Sequence, residues 1–226
     1  MQAKKKIKTG YEKKYVKYSK LSKLNYEELD KKGYYIIHNF LGDVNKNILE
    51  ELNKQIDKRG KSIFGPDKKR KQCTLYFRQK FMKTFVDKLN YKLSNLYSSS
   101  YTHTKWNILK SLKGCKRQTP HQDFIVDDKK EKIKELLKEE DFSKIIKDKN
   151  PLSVIYCPMN GSKLNVWLDG IKGDESIINL KKDDLLIFKG DFTHAGSAYD
   201  EENVRLHTYI DNLDIPHKNN RIRLFR

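Results

Sequence analysis

From Trp106 onward the chain is cut into short apolar runs. "WNILKSL", "PLSVIYCPM", "KLNVWL", "SIINL", "DLLIF" and "VRLHTYI" are each strand-length, rich in β-branched and aromatic residues, and bounded by Gly, Asp, Asn or Pro. So many short strands at close spacing predict a sandwich or a barrel. One stretch breaks the series. Residues 127–151, "DDKKEKIKELLKEEDFSKIIKDKNP", open on Asp caps, place Ile133, Leu136 and Leu137 on one helical face and stop at Pro151.

The preceding part reads differently. In "LNYEELDKKGYYIIHNFL", Leu24, Asn25 and Glu28 open a short helix, Gly33 ends it, and "YYIIHNF" has strand composition. Leu49, Leu52 and Ile56 then recur at helical spacing, as do Phe81, Phe85, Leu89 and Leu93. Between them, residues 57–73 read as a basic loop punctuated by Gly and Pro. The expected class is α+β, with helices first, a β-barrel over about 104–211 and a helical insertion over 127–151. Residues 1–20 form a basic, flexible arm ahead of a single domain over 21–226.

Composition narrows the setting. A chain of 226 residues with 37% hydrophobic content can bury a core, and a mean hydropathy of −0.85 describes a very polar surface. No apolar run approaches the length of a membrane span. The lysine-rich start has no apolar segment behind it and does not read as a secretory signal. Cys73, Cys115 and Cys157 are far apart, which suits a reducing intracellular compartment, cytoplasmic or nuclear. The net charge of +18 has two readings. It marks an anionic partner, or it follows from the Lys-, Asn- and Ile-rich coding of an AT-rich genome.

The chemistry centres on "RQTPHQDFIVDD", residues 117–128. His121 and Asp123 are two apart, so on an extended chain both reach toward one ion. His194, in "KGDFTHAGSAYDEENVRLHTYID", follows the strand "DLLIF" and supplies a third candidate ligand. Two histidines and a carboxylate on one face of a metal are the arrangement of non-haem Fe(II) oxygenases. Arg205 lies eleven residues after His194 on the next strand, where its planar fork suits a cosubstrate carboxylate. If Arg205 points inward, His207 and Tyr209 do too, either lining the site or filling the core. Ser197 and Gln118 are further cosubstrate candidates by proximity. Trp106, Trp167 and Cys157 read as core.

Taken together, "HQD", "HAGSAYDEENVRLH", "SLKGCKRQTPHQDF" and the upstream "EELDKKGYYIIHNFL" resemble the Fe(II)/2-oxoglutarate dioxygenases, in particular the phytanoyl-CoA dioxygenase-like branch. The resemblance spans roughly residues 24–211. It implies a double-stranded β-helix of jelly-roll or cupin-like form. It also implies Fe(II) on His121, Asp123 and His194, 2-oxoglutarate held through Arg205, and O2 as co-substrate. The stretch "RLHTYID", starting at Arg205, departs from the R-x-N-x-T-x-R of the AlkB type, and an arginine in this role departs from the JmjC type. "SKLNVWLDG" keeps only part of the element typical of small-molecule members. The substrate is thus left open between a protein side chain, a nucleobase and a small molecule. Rival readings are a nucleic-acid-modifying oxygenase that uses the basic segments, and a β-barrel binding module without turnover. The 127–151 insertion, leaving next to Asp123, is expected to form part of a lid.

Overall fold

The structure, a computed structural model, describes residues 26–42, 44–63, 68–97, 101–124, 151–212 and 223–225. The arm over 1–20 and, Pro151 apart, the insertion over 127–151 lie outside the described residues.

Six segments that read as strands are strands: β5 (Asn107–Ser111), β7 (Leu152–Tyr156), β8 (Ser162–Trp167), β9 (Glu175–Leu180), β10 (Leu185–Lys189) and β12 (Asn203–Asn212). With β1 (Tyr34–Ile37), β2 (Lys61–Ser62), β3 (Arg70–Thr74) and β4 (Tyr101–His103), four of them build an eight-stranded sheet in the order β1-β10-β7-β12-β5-β3-β2, β4 pairing with β12. A five-stranded sheet, β13-β6-β11-β8-β9, adds β6 (His121–Gln122), β11 (Thr193–Gly196) and β13 (Arg223–Leu224). Every pairing is antiparallel. The two sheets stack as a jelly roll, the double-stranded β-helix, and do not close into a single barrel.

The central strands β7 and β10 are buried on both faces, which explains their unbroken apolar runs. Along β10, Leu185 and Ile187 join the helices while Leu186 and Phe188 join the small sheet. In β7, Val154 and Tyr156 face the helices and Ile155 faces inward. The helical layer consists of α1 (Tyr26–Lys32), α2 (Lys46–Arg59) and α3 (Lys80–Ser94). The Asn45 side chain caps α2 by accepting from Asn47 N at 2.9 Å. Ile48, Leu52 and Ile56 form its buried face. On α3 the buried face is Met82, Phe85, Val86, Leu89 and Leu93. Phe81, expected on that face, is 37% exposed. Steps of four residues drift around a 3.6-residue helix, and by the first turn the stripe has rotated past it. No described helix is long and apolar enough to cross a membrane.

The expected loop over 57–73 is corrected. Helix α2 runs to Arg59, and Arg70–Thr74 is a strand paired along β5 from Arg70↔Ser111 to Thr74↔Asn107. "RKQCT" carries almost no apolar alternation, because on its inner side β3 faces a polar cavity.

A buried carboxylate ties the N-terminal element to the sheet. Asp183, at φ 68°, accepts from Leu41 N at 3.0 Å, Gly42 N at 2.7 Å and Tyr156 Oη at 2.9 Å. Its own backbone oxygen accepts from Phe40 N at 2.8 Å. Asp183→Ala is expected to cost about 3–5 kcal/mol, since it orphans several buried donors and puts a Cβ-only residue at positive φ. Urea unfolding measures this, and a loss below about 1 kcal/mol would mean the turn holds without the carboxylate.

Candidate metal centre

The fold brings the three predicted ligands together. His121 on β6 and His194 on β11 are direct partners across an antiparallel pair, and their ring centroids lie 4.4 Å apart. Asp123 follows β6 by one residue. Its Oδ1 lies 3.9 Å from His121 Nε2 and 3.7 Å from His194 Nε2, and all three residues are buried. Their donor atoms fall within 4.8 Å of one another.

The hydrogen bonds behind the site set the chemistry of these donors. His121 Nδ1 lies 2.8 Å from Thr119 O, and His194 Nδ1 lies 2.9 Å from Phe192 O. A carbonyl only accepts, so each Nδ1 carries the hydrogen and donates it. In the neutral ring this leaves a lone pair on Nε2, the atom turned toward Asp123. Burial, with His194 beside it, lowers the His121 pKa to about 4, so the ring is neutral near pH 7. Burial by itself would raise the Asp123 carboxyl. The His194, His207 and His121 rings and the Ser153 hydroxyl outweigh it and hold the group below the usual carboxylate range. Ser153 Oγ donates to Asp123 Oδ2 at 2.6 Å, fixing the carboxylate with Oδ1 turned to the histidines. Two imidazoles whose Nε2 atoms face one oriented carboxylate are a donor set that fits Fe(II).

Close backbone packing holds Asp123 in place. Gly190 N donates to Pro151 O and Gly190 O accepts from Phe124 N, each at 2.8 Å. A Cβ on Gly190 would sit 2.8 Å from Pro151 O and 2.9 Å from Phe124 Cβ, so only glycine lets these segments meet.

A cavity of about 820 Å³ opens between the sheets beside this group. As the alternation on β12 predicts, Arg205, His207 and Tyr209 all line it. Arg205 is buried, donates from Nη1 to Ser111 Oγ at 3.1 Å and lies 5.5 Å from the Tyr199 ring. Among the described residues no carboxylate pairs with it. His207 Nε2 lies 3.9 Å from Asp123 Oδ2 and packs edge-on against Tyr209 at 4.6 Å. Gln118 lines the cavity and accepts from Gly196 N at 2.8 Å. Ser197 is not in the lining, and its hydroxyl donates to Asn165 Oδ1. Trp106 and Trp167 are buried, and burial pushes the Cys157 thiol up to about 12.

Three polar residues of the site were not anticipated. Ser153 sits inward on the buried strand β7 and Ser111 ends the mixed strand β5, placements that the run of residue types does not reveal. Arg70 was hidden in the run "DKKRKQC". Buried on β3, it donates from Nη1 to the same Ser111 Oγ at 3.1 Å. Its Nη2 reaches the oxygens of Lys116, Gly196 and Ser197 at 2.7, 3.1 and 2.5 Å. It thereby ties β3 to the ends of the segments that carry His121 and His194.

No protein-family model matches the sequence, and no curated protein does. Solved structures do match. A prolyl hydroxylase from Trichoplax adhaerens, in complex with a hypoxia inducible factor oxygen degradation domain peptide fragment, superposes with a TM-score of 0.59 at 14% identity, over 82% of this chain and 86% of that one. A prolyl-4-hydroxylase from Pseudomonas putida gives 0.55 at 15% identity, over 82% and 96%. The non-heme alpha ketoglutarate dependent epimerase SnoN of nogalamycin biosynthesis gives 0.58 at 11%, over 82% and 81%. The fold is that of 2-oxoglutarate and Fe(II) oxygenases. SnoN has also been solved with Fe3+, alpha ketoglutarate and nogalamycin RO.

Proposed function

We propose that the chain is an Fe(II)- and 2-oxoglutarate-dependent oxygenase that hydroxylates a C–H bond. The observation that carries this is the convergence of His121 Nε2, His194 Nε2 and Asp123 Oδ1 beside a buried arginine facing the same cavity. When bound, iron and 2-oxoglutarate supply oxidative decarboxylation to succinate and CO2, coupled to insertion of one oxygen atom of O2 into the substrate.

The protein's part follows from its residues. His121, Asp123 and His194 hold the metal, and Ser153 keeps the carboxylate turned toward it. Arg205 grips the far carboxylate of 2-oxoglutarate, with Ser111 fixing the guanidinium. Gln118 and His207 flank the cosubstrate. Ser197 contributes through its backbone, whose oxygen anchors Arg70. Ile155, Leu164 and Phe188 form an apolar wall that keeps water from the reacting centre.

The motif order favours the phytanoyl-CoA dioxygenase-like branch within this reading. The three free cysteines suit a reducing intracellular compartment. The test is succinate formation from 2-oxoglutarate with Fe(II), alone and with peptides, oligonucleotides and metabolites. Iron-dependent succinate is expected, rising when the substrate is present. A protein that binds iron and makes no succinate under any of these conditions would be the non-catalytic binding module instead.

A further inference from the structure

We propose, resting on the oxygenase reading, that the substrate is single-stranded nucleic acid lying in a basic, aromatic-edged groove that runs from the metal centre to Tyr76–Arg78. The cavity at the metal continues over the β3–β5 face, and a second cavity of about 520 Å³ adjoins it. Thr74, Thr104 and Lys105 line both. The second is bordered by Tyr76, Phe77 and Arg78, in the short run that joins β3 to α3.

Charge along this path is one-sided. The cations on its described walls are Arg70, Arg78, Lys105 and Arg205, against one carboxylate, the metal ligand Asp123, while Lys71 and Lys110 alternate to the helix side of β3 and β5. Lys110 is neutralised by Asp57 and Glu202 at 3.0 and 3.2 Å, and Arg70 is engaged by backbone oxygens. Lys105 and Arg78 make no ion pair among the described residues. They stand along the walls as a phosphate backbone would require. A chain with net charge +18 adds a long-range field of the same sign.

The aromatics supply the second half. Tyr76 and Phe77 are 51% and 43% exposed at the groove's outer end, and the Arg59 guanidinium lies 4.0 Å from the Tyr76 ring centre. Exposed rings beside cations form the stacking surface of single-strand binders, where flat bases lie on aromatic faces. Between the rings and the metal the wall is made of Gln72, Thr74, Thr104 and Asn107, which offer donors and acceptors to base edges. Thr74 Oγ1 and Asn107 Oδ1 are 3.4 Å apart, so their mutual bond is weak. A single strand can place one base deep in such a site without breaking a base pair. An acidic peptide would satisfy the cations but not the stacking rings.

The test is fluorescence anisotropy of the full chain with short labelled single-stranded DNA and RNA of mixed sequence, and with a poly-glutamate peptide of matched charge. The buffer contains a chelator. Binding to the oligonucleotides is expected, with affinity falling steeply as salt rises. Tyr76→Ala with Phe77→Ala should weaken it about tenfold or more. Lys105→Glu, at an exposed position, serves as the second variant should the aromatic pair fail to fold, and should weaken binding at least threefold or so. Absence of oligonucleotide binding, equal affinity for poly-glutamate, or wild-type affinity in both variants would each overturn the proposal. Anisotropy needs no iron, whereas the oxygenase reading is tested by succinate, so either can fail without the other.

Discussion

Asp123→Ala is expected to abolish metal binding and turnover while the fold survives. Asp123 Oδ1 lies 3.7 and 3.9 Å from His194 Nε2 and His121 Nε2 and supplies the anionic member of the donor set. Without it, two imidazoles on adjacent strands hold the ion alone. Losing a group that merely orients a ligand costs about 10–100-fold in metal affinity, and losing the anionic ligand itself should exceed that. The fold depends little on it: the lost side chain leaves Ser153 Oγ without this acceptor, worth roughly 1–3 kcal/mol. Thermal unfolding with Mn2+ as a redox-stable probe separates the two effects. At a free metal concentration about 100-fold above the Kd, linkage stabilises the native state by about 2.7 kcal/mol. For a domain of this size that raises Tm by roughly 5–10 °C. The wild type should show this rise and the variant none. A variant that keeps the full rise would remove Asp123 from the site.

Much of this cluster was legible because ligands for one ion need a spacing that a linear pattern preserves. His121 and Asp123 are two apart, and His194 follows a strand that the apolar run "DLLIF" announces. The alternation of β12 was equally readable, since one strand carries Arg205, His207 and Tyr209 inward and Val204, Leu206 and Ile210 to the helices. What escaped had a common physical cause. β3 lines a polar cavity, so it lacks the apolar alternation by which strands are recognised, and its Arg70 looked like one more solvated cation. β11, "THAG", is too short and too small in its side chains to register, although it carries His194. Ser153 gave no sign of its role because its partner lies thirty residues away in sequence. The pattern shows which residues alternate. It does not show which polar residues a buried sheet turns toward one another.

Arg205→Ala is expected to raise the 2-oxoglutarate concentration needed for half-maximal succinate formation by roughly 10–100-fold, through loss of a charge-assisted bidentate pair worth about 1.5–3 kcal/mol. Arg205→Lys should recover part of this, because an ammonium keeps the charge but not the planar fork. A purely structural role predicts a different pattern, and Arg205→Met distinguishes the two. The guanidinium is buried, with Ser111 Oγ as its hydrogen-bond acceptor and no carboxylate among the described residues. A cation so placed destabilises the protein before its anion arrives, and an apolar side chain of similar length is often neutral or stabilising in its place. Ser111 would still accept from Arg70 at 3.1 Å, so the change orphans no hydroxyl. Without 2-oxoglutarate, Arg205→Met should therefore melt at or above the wild-type temperature. With 2-oxoglutarate and Mn2+, the wild type should gain stability and the variant should not. A variant that melts lower without cosubstrate and keeps its 2-oxoglutarate dependence would show that Arg205 holds the sheets together and that another cation, Arg70 first among them, receives the carboxylate.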